Sequence, residues 1–332
     1  MNHYRLLVSL VLFGAATWPA ASRRIIAADF AVQQKPDRVI ITDAGRPVAT
    51  YVFRDDKILR PYFANVHAPG GIQVTRNHPP VPNVDVTDHD TMHPGVWLAF
   101  GDLSGQDFWR NKARIVHVRF VEPPAVHDGR VTFTAESTFQ AANGGDVCKQ
   151  TSRLALAACP AGYLLIWEAT FRPEQREIVF GDQEEMGLGV RVATPIAVKQ
   201  GGTILDAMGR RNEREVWGNS ANWCDYSGTI AGRHAGITIM CDPQNFRPSW
   251  LHARDYGALV VNPFGQQAFR KGPVSRVVVK PGESFRLRYG ILLHAGEDDS
   301  GPDLKAAYAD YVRLTRSVYP TRSLNGSPGP SS

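Results

Sequence analysis

The sequence has little of what marks a metal ribbon, a nucleic-acid binder or a membrane protein. It has only 4 cysteines in 332 residues and no CxxC pair, which argues against a zinc ribbon or a thioredoxin-like redox motif. It has no block of like charges although the formal net charge is +5, so nothing predicts a nucleic-acid-binding stripe. Beyond the N-terminus, no stretch reaches the roughly twenty apolar residues of a membrane span.

The N-terminus carries a pronounced apolar run. A charged start, MNHYR, precedes LLVSLVLFGAA and the small-residue segment TWPAAS, which is the pattern of a secretory signal peptide. We predict a signal peptide over residues 1–22 and export to the periplasm or the extracellular space; a buried N-terminal helix is the alternative. In an exported chain an even cysteine count favours disulfides, and hairpin spacing favours Cys148–Cys159 and Cys224–Cys241. Free buried thiols are the alternative.

Short strands dominate the rest of the pattern. β-branched and aromatic residues alternate with polar ones, as in GRVTFTAESTFQ, and Gly, Pro and Asp separate roughly fifteen to twenty such segments. A helical period occurs near the end, over residues 303–316. We predict an all-β protein, one large antiparallel β-sandwich over residues 23–318, with a disordered tail at 319–332. Two sandwiches are the alternative, but no Pro/Ser-rich hinge marks a boundary.

Titratable and aromatic side chains are concentrated between residues 60 and 116. Gly and Pro interrupt any helical period there, so these side chains are expected on loops and short strands, as on a binding or catalytic face. A guanidinium beside imidazoles suits a carboxylate or a pair of sugar hydroxyls. The predicted binding residues in this stretch are Arg60, His67, Arg76, His78 and Trp97.

The segment DHDTMHPGVW, residues 88–97, allows several interpretations. Two histidines and one or two carboxylates within six residues can ligate a divalent metal such as Zn or Mn. The spacing is not HExxH, and the following Pro-Gly argues against a helix, so nothing enforces a metal site. The same residues suit acid–base work by His89 and His93 near neutral pH, or ordinary loop polarity. The cofactor is therefore left open.

Two adjacent carboxylates, Glu184 and Glu185, precede the strand-like segment GLGVRVATP. Successive side chains of a strand face opposite ways, so we expect only one of the two to point into a cleft as a general base. A solvated turn is the alternative. Further on, aromatic plates are edged with hydrogen-bonding groups, as sugar rings require, although a buried aromatic core is the alternative. These predicted binding residues are Trp217, Trp250, His252, Arg254 and Asn262.

Several longer motifs are similar to those of one known family. PGGIQVTRNHP, DHDTMHPGVWLAFGDLSGQDFW, DQEEMGLGVRVATP and WLHARDYGALVVNPFG resemble the bacterial family of exported proteins labelled "methane oxygenase PmoA", from about residue 40 to about residue 295. The resemblance implies a galactose-mutarotase-like supersandwich and a setting of polysaccharide or glycoside breakdown. Members typically carry DHPHHRGLW, whereas this chain reads DHDTMHPGVW, so only His89 and His93 are carried over.

We therefore predict an exported carbohydrate-active protein, an enzyme that acts on a glycoside or modified sugar as a hydrolase, lyase or epimerase. His89 or His93 would be the acid or base, and Glu184 or Glu185 the partner carboxylate. A non-catalytic glycan-binding module is the alternative, and a metal-dependent oxygenase, as the family label suggests, is another.

The expected partner is a small or oligomeric carbohydrate, and no nucleic acid. The hypothesis depends on one spatial relationship, since its residues are far apart in the chain. Residues 60–110, 184–191 and 250–264 must meet over one concave sheet.

Overall fold

The computed structural model describes residues 28–296 and 301–318. The predicted signal peptide and the predicted C-terminal tail lie outside these ranges. Among the described residues, no helix combines the length and apolarity that a membrane crossing requires. The strands are β1 Phe30–Gln34, β2 Arg38–Asp43, β3 Arg46–Val52, β4 Tyr62–Ala64, β5 His67–Ala68, β6 Ile72–Gln73, β7 Val96–Phe100, β8 Arg114–His127, β9 Arg130–Gln140, β10 Asp146–Cys159, β11 Gly162–Arg172, β12 Ile178–Phe180, β13 Met186–Arg191, β14 Thr203–Asp206, β15 Trp223–Ile230, β16 Arg233–Cys241, β17 Trp250–Arg254, β18 Ala258–Asn262, β19 Val277–Val279 and β20 Phe285–Ala295. The α-helices are α1 Asn212–Val216 and α2 Leu304–Val318.

Two eight-stranded antiparallel sheets pack face to face. The first sheet has the order β1-β2-β3-β4-β7-β13-β18-β17, and the second has the order β14-β15-β16-β20-β11-β10-β9-β8. The strands alternate as the sequence predicts: Val96, Leu98 and Phe100 of β7 join the core between the sheets, and the Phe100 ring lies 5.4 Å from that of Phe171 on β11. The predicted all-β antiparallel sandwich with a C-terminal helix is therefore confirmed.

Helix α2 covers part of the outer face of the second sheet. Its Tyr311 is buried against Leu164, Met240 and Leu292 of that sheet. Gly290 makes this approach possible, because a Cβ there would lie 2.8 Å from the Tyr311 ring. The predicted helix at 303–316 is thus confirmed, and its apolar side is used to cover a sheet.

The short helix α1 lies between β14 and β15. Two hydrogen bonds to Asp255 hold this helix in place. The Glu213 N–H donates to Asp255 Oδ1 at 2.9 Å, and the Asp255 N–H donates to Glu213 Oε2 at 2.9 Å. Because both partners of this exchange are far apart in the chain, local propensity does not reveal it.

The predicted disulfides are also wrong, since all four cysteines are free thiols. Cys148 and Cys159 lie near opposite ends of the single strand β10, a span of roughly 35 Å at about 3.3 Å per residue. Cys224 lies opposite Ile239 rather than Cys241. Burial raises the pKa of Cys148 and of Cys241 to about 12, so these thiols are protonated and unreactive.

Candidate functional site

The outer face of the first sheet, which points away from the core, carries many of the predicted site residues. Residues opposed in register point to the same side of a sheet, so distant segments meet wherever the strands pair. Arg191, Ala258 and Arg254 form one cross-strand row. The adjacent row on the same face consists of Tyr62, Trp97, Gly189, Val260 and His252. The structure thus brings residues 60–110, 184–191 and 250–264 onto one face.

Trp97 forms the buried floor of this face. Its indole lies flat over Gly189, where a Cβ would be only 2.6 Å from Trp97 Cζ2, so only glycine fits beneath it. Trp97 is 0% exposed and packs edge-on against Trp109 at 5.3 Å. The side chain therefore supports the site from below and does not reach a ligand, which corrects its predicted binding role.

A column of parallel rings rises from this floor to the surface. The His93 ring lies on Trp97 with centroids 5.0 Å apart, and His89 lies on His93 at 4.8 Å. Tyr256 is parallel to His89 at 5.7 Å, and the guanidinium carbon of Arg191 lies 4.7 Å from the Tyr256 ring. His93 is buried whereas His89 is exposed, so of the two predicted histidines only His89 is open to a ligand.

Electrostatics keep His93 uncharged. Burial, and then the charge of Arg191, hold the pKa of His93 well below its usual value. Arg191 Nη1 lies 3.5 Å from His93 Nδ1, and a guanidinium only donates, so the imidazole proton belongs on Nε2. Arg191 also pairs with Asp88. Burial raises the pKa of Asp88, but Arg191 and His89 lower it by more. The net pKa is below the usual value, so the carboxyl is ionised.

Arg60 and Arg76 are committed to the main chain. Both are almost fully buried. Arg60 donates to the carbonyls of Trp109 at 2.8 Å and Met92 at 2.5 Å, and Arg76 donates to the carbonyl of Val86 at 2.7 Å. These guanidinium groups hold the loop that carries His89 and His93. They do not face a substrate, which corrects their predicted role.

Glu184 is the centre of a second cluster at the β17 end of the face. Arg254 Nη2 donates to Glu184 Oε2 at 2.8 Å, and His252 Nδ1 lies 3.0 Å from the same oxygen. Arg254 also pairs with Glu213 through Nη1 at 2.9 Å. The interaction with His252 lowers the pKa of Glu184. Burial raises this pKa, and the charge of Arg254 lowers it. The carboxylate is ionised at neutral pH, and the contacts from Arg254 and His252 are both made to Oε2.

An open hollow of about 570 Å³ lies beside this cluster, and we call it the Glu184 hollow. Every side chain that lines it is polar or charged. The lining residues are Asp107, Arg110, Lys112, Gln183, Glu184 and Glu185.

Both glutamates line the Glu184 hollow, so the prediction that only one faces a cleft is wrong. The alternation rule applies within a strand, and β13 begins only at Met186. Glu185 Oε2 pairs with Arg110 Nη2 at 2.9 Å, which separates its role from that of Glu184.

The predicted tryptophans flank the Glu184 cluster. Trp217 is partly exposed, and the guanidinium carbon of Arg254 lies 5.7 Å from its ring. After His252 and Arg254, Trp217 also lowers the pKa of Glu184, so its indole lies beside that carboxylate. Trp250 is partly exposed as well, with its ring 6.5 Å from that of Phe269. Both rings therefore remain available at the edge of the site.

Asn262 has a positioning role that the sequence does not show. It is 0% exposed and donates through Nδ2 to the carbonyls of Gln183 at 2.7 Å and Glu184 at 3.1 Å. Its Oδ1 accepts from the Phe264 and Gly265 N–H groups. All its hydrogen-bonding groups are used, so Asn262 fixes the backbone at Glu184 and does not contact a ligand directly.

His67 and His78 do not join the Glu184 cluster. They line a separate hollow over β2 and β3, near the other end of the first sheet. Three strands, β4, β7 and β13, lie between β3 and β18 in the sheet order. The predicted binding residues therefore divide between two places.

Sequence reasoning missed two members of the site and left a third without a role. Alternation in WLHARDY puts Tyr256 on one face with Trp250, His252 and Arg254, but Tyr256 is not among the predicted binding residues. Arg191 lies on a recognisable strand, but its pairing with Asp88 depends on a distant loop. Glu213 had no local signal. The described residues contain no group of three or more His, Cys, Asp and Glu side chains arranged to hold a metal ion.

Comparison with known proteins gives a family and distant structural likenesses. A family model described as "Family of unknown function (DUF6807)" matches residues 38–307. The resemblance to the exported family labelled "methane oxygenase PmoA" stays a prediction. No curated protein matches the chain.

Three solved structures illustrate the structural likenesses. Heparan sulfate lyase HepC from Pedobacter heparinus is 8% identical with a TM-score of 0.38, over 83% of this chain and 37% of the lyase, so the chain spans well under half of it. A galactose mutarotase related enzyme from Lactobacillus acidophilus is 9% identical with a TM-score of 0.33, over 82% of this chain and 99% of that one. A galactose mutarotase-like protein from Lactobacillus casei ATCC 334 is 9% identical with a TM-score of 0.31, over 80% and 100%.

Proposed function

We propose that this chain, which belongs to the DUF6807 family of unknown function, is a carbohydrate-active enzyme with its site at the Glu184 hollow. It acts on a glycoside or a modified sugar by acid–base chemistry. One observation carries the proposal: an ionised carboxylate, held at one oxygen by Arg254 and His252, borders a hollow lined only by polar side chains.

The lining of the Glu184 hollow supports a hydroxyl-rich ligand. Carboxylates accept hydrogen bonds and Arg110 and Lys112 donate them, so both functions of a hydroxyl group are matched. The partly exposed rings of Trp217 and Trp250 add apolar surface on which the C–H face of a sugar can stack. An apolar ligand would leave the charged lining without partners.

Glu184 is the proposed general base. Arg254 and His252 both act on Oε2, and Oε1 is the proposed acceptor of the proton from the substrate. Its lowered pKa keeps it deprotonated at neutral pH, although it also makes the carboxylate a weaker base. Asn262 fixes the main chain that carries Glu184, so the oxygen is held in position before the substrate arrives.

His89 is the proposed proton donor on the opposite side. His89 is the exposed end of the ring column and lies next to Tyr256. Tyr256 is in the turn that leads from β17 to β18. Arg191, beside the ring column, and Arg254, of the Glu184 cluster, lie in one cross-strand row. They are two strands apart, so their backbones are separated by about 10 Å. In the proposed site a ligand lies between the two clusters, with His89 as the acid on one side and Glu184 as the base on the other.

The experiment compares Glu184→Gln with its neighbour Glu185→Gln. Both variants remove one negative charge from the same hollow, so only their catalytic roles differ. Products released from neutral and acidic oligosaccharides are separated by chromatography, and Glu184→Gln is expected to lower kcat by a factor of about 100 or more. Glu185→Gln should keep most of the activity. Equal activity of the two variants would reject Glu184 as the base.

A non-catalytic glycan-binding module is the second candidate. The low pKa of Glu184 and the uncharged state of His93 favour it, because both groups are weak proton acceptors. Binding of an oligosaccharide without any product, in a protein whose affinity falls in a Trp217→Ala variant, would select this alternative.

Export belongs to the proposal as well. A signal peptide at residues 1–22 would deliver the protein to the periplasm or the extracellular space, where polysaccharides are degraded. Amino-terminal sequencing of the protein from its native host tests this: an intact Met1 would reject it.

A further inference from the structure

We propose that the second hollow on the outer face of the first sheet is a separate binding site for an uncharged sugar unit. The proposal shares the carbohydrate ligand class with the proposed function but does not depend on Glu184. The hollow, which we call the Thr50 hollow, has a volume of about 610 Å³. It is lined by Ile40, Ile41, Pro47, Ala49, Thr50, Asn65, His67, Gln73, Asn77, His78, Pro79 and Val81.

The Thr50 hollow has no charged side chain in its lining. Burial lowers the pKa of His67 and of His78, so both imidazoles are neutral at neutral pH. Two neighbouring carboxylates are already engaged: Asp55 accepts from the Tyr62 hydroxyl at 2.7 Å, and Asp85 accepts from Asn77 Nδ2 at 2.9 Å. A charged ligand would find no counter-charge here.

Hydrogen-bonding groups are nevertheless left over. Asn65 Oδ1 accepts from the His78 N–H at 3.2 Å, while its Nδ2 has no hydrogen bond to the described residues. Gln73 Nε2 donates to the Thr75 carbonyl and to Asn77 Oδ1, both at 3.0 Å, while its Oε1 is unused. The Thr50 hydroxyl has no hydrogen bond to the described part of the chain either. One amide donor, one amide acceptor and one hydroxyl therefore remain for a ligand.

These spare groups and the apolar wall together fit a sugar ring. Ile40, Pro79 and Val81 supply C–H surface, and Val81 is 44% exposed. A hydroxyl-bearing ring can satisfy the spare donor and acceptor while it packs one face on this surface. A purely apolar ligand would leave the amide groups unsatisfied, and an ion would lie beside uncharged groups only.

The position of the hollow sets the length of ligand that could use both sites. Ile40 lies opposite Thr50, and Thr50 lies opposite Ala64, so the hollow is on the same face as Trp97 and His252. Glu184 and Glu185 immediately precede β13, and three strand spacings separate β3 from β13, about 14 Å. A ligand that reaches both hollows is therefore an oligosaccharide of several units, with an uncharged unit at the Thr50 hollow.

Thr50 offers a clean test because its hydroxyl supports nothing in the fold. Thr50→Val removes the hydroxyl at constant shape, and Thr50→Trp fills the hollow from the outward-facing side of β3. Binding of cello-, xylo- and manno-oligosaccharides and of acidic oligogalacturonides is measured by isothermal titration calorimetry. Circular dichroism confirms the fold of each variant, and Glu184→Gln is the control for the other hollow.

We expect a neutral oligosaccharide to bind the wild-type protein at the Thr50 hollow. Thr50→Val should weaken that binding by roughly threefold to tenfold, the effect of one neutral hydrogen bond, and Thr50→Trp by more than tenfold. Binding that falls in the Thr50 variants and persists in Glu184→Gln supports the second site even if the enzyme proposal fails. Binding of oligogalacturonides alone, binding of no oligosaccharide, or equal affinity in Thr50→Val and Thr50→Trp would overturn it.

Discussion

Arg254 donates through Nε to Nε2 of His252 at 3.2 Å, and this contact decides where the imidazole proton lies. A guanidinium has donors only, so Nε2 must accept and the proton belongs on Nδ1, the nitrogen that faces Glu184. Arg254 thus acts on Glu184 twice, directly through Nη2 and indirectly through the tautomer of His252. The acid–base state of the carboxylate depends on this one side chain.

Replacing Arg254 with Met should raise the pKa of Glu184, because both the direct charge and the fixed His252 donor are lost. A base must be ionised, so activity falls as pH falls through the pKa of Glu184, and the variant should begin to lose activity at a higher pH than the wild type. Titration of the Glu184 carboxyl by ¹³C NMR measures the shift directly, without a substrate.

Arg214→Met is the matched control for that experiment. Arg214 lies on α1, is almost fully exposed, and forms an ion pair with Glu215 at 3.7 Å. It should leave the carboxyl titration unchanged. The same titration curve for Glu184 in wild type and Arg254→Met would contradict the assigned role of Arg254.

His117 should make the fold sensitive to acid. Burial, and then the charge of Arg54, lower its pKa to about 4, below the value near 6.5 of an unfolded chain. Between about pH 6.5 and pH 4, His117 is therefore protonated in the unfolded state but not in the folded state. Stability falls as pH drops from about 6.5 towards 4, by on the order of 1–2 kcal/mol at pH 5.

His117→Phe should remove this acid sensitivity, since the ring already packs against Phe53 at 4.5 Å and Phe120 at 4.6 Å. Urea unfolding at pH 7 and pH 5 gives the two free energies, with the exposed His127→Gln as control. A loss of stability between the two pH values as large in His117→Phe as in wild type would show that His117 is not the cause.

Gly189→Ala should destabilise the protein by about 1–3 kcal/mol, because the new Cβ would meet the Trp97 indole at 2.6 Å. Trp97 has no room to retreat between His93 and Trp109. Urea denaturation measures the loss, and near-ultraviolet circular dichroism reports on the indole. Gly145→Ala, on an exposed turn with only a side-chain oxygen nearby, is the comparison and should be nearly neutral.

A reducing agent should leave the melting temperature unchanged, because the structure contains free cysteines and no cross-link to break. Titration of thiols in denaturant without reductant should find all 4 cysteines of the sequence as free thiols. A melting temperature that drops on reduction, by the several degrees that a disulfide provides, would restore the predicted pairing.

The strand pattern was largely predictable. GRVTFTAESTFQ alternates along its length and forms β9 Arg130–Gln140, and GYLLIWEATFRP forms β11 Gly162–Arg172. The same alternation applies to Trp250, His252 and Arg254, which lie on one face of β17. Alternation is a local property of the extended backbone, so it can be recognised without knowing what lies opposite.

The sequence by itself therefore determined the all-β class, the C-terminal helix and which faces of the strands are apolar. Only the tertiary structure decided that Arg60 and Arg76 bind carbonyls, that Trp97 is a buried floor, and that Glu184 meets His252. These outcomes depend on the register of strands far apart in the chain and on how completely each side chain is buried. A residue type does not encode its partner, because the free energy of a buried charge or ring is set by the segments that fold over it.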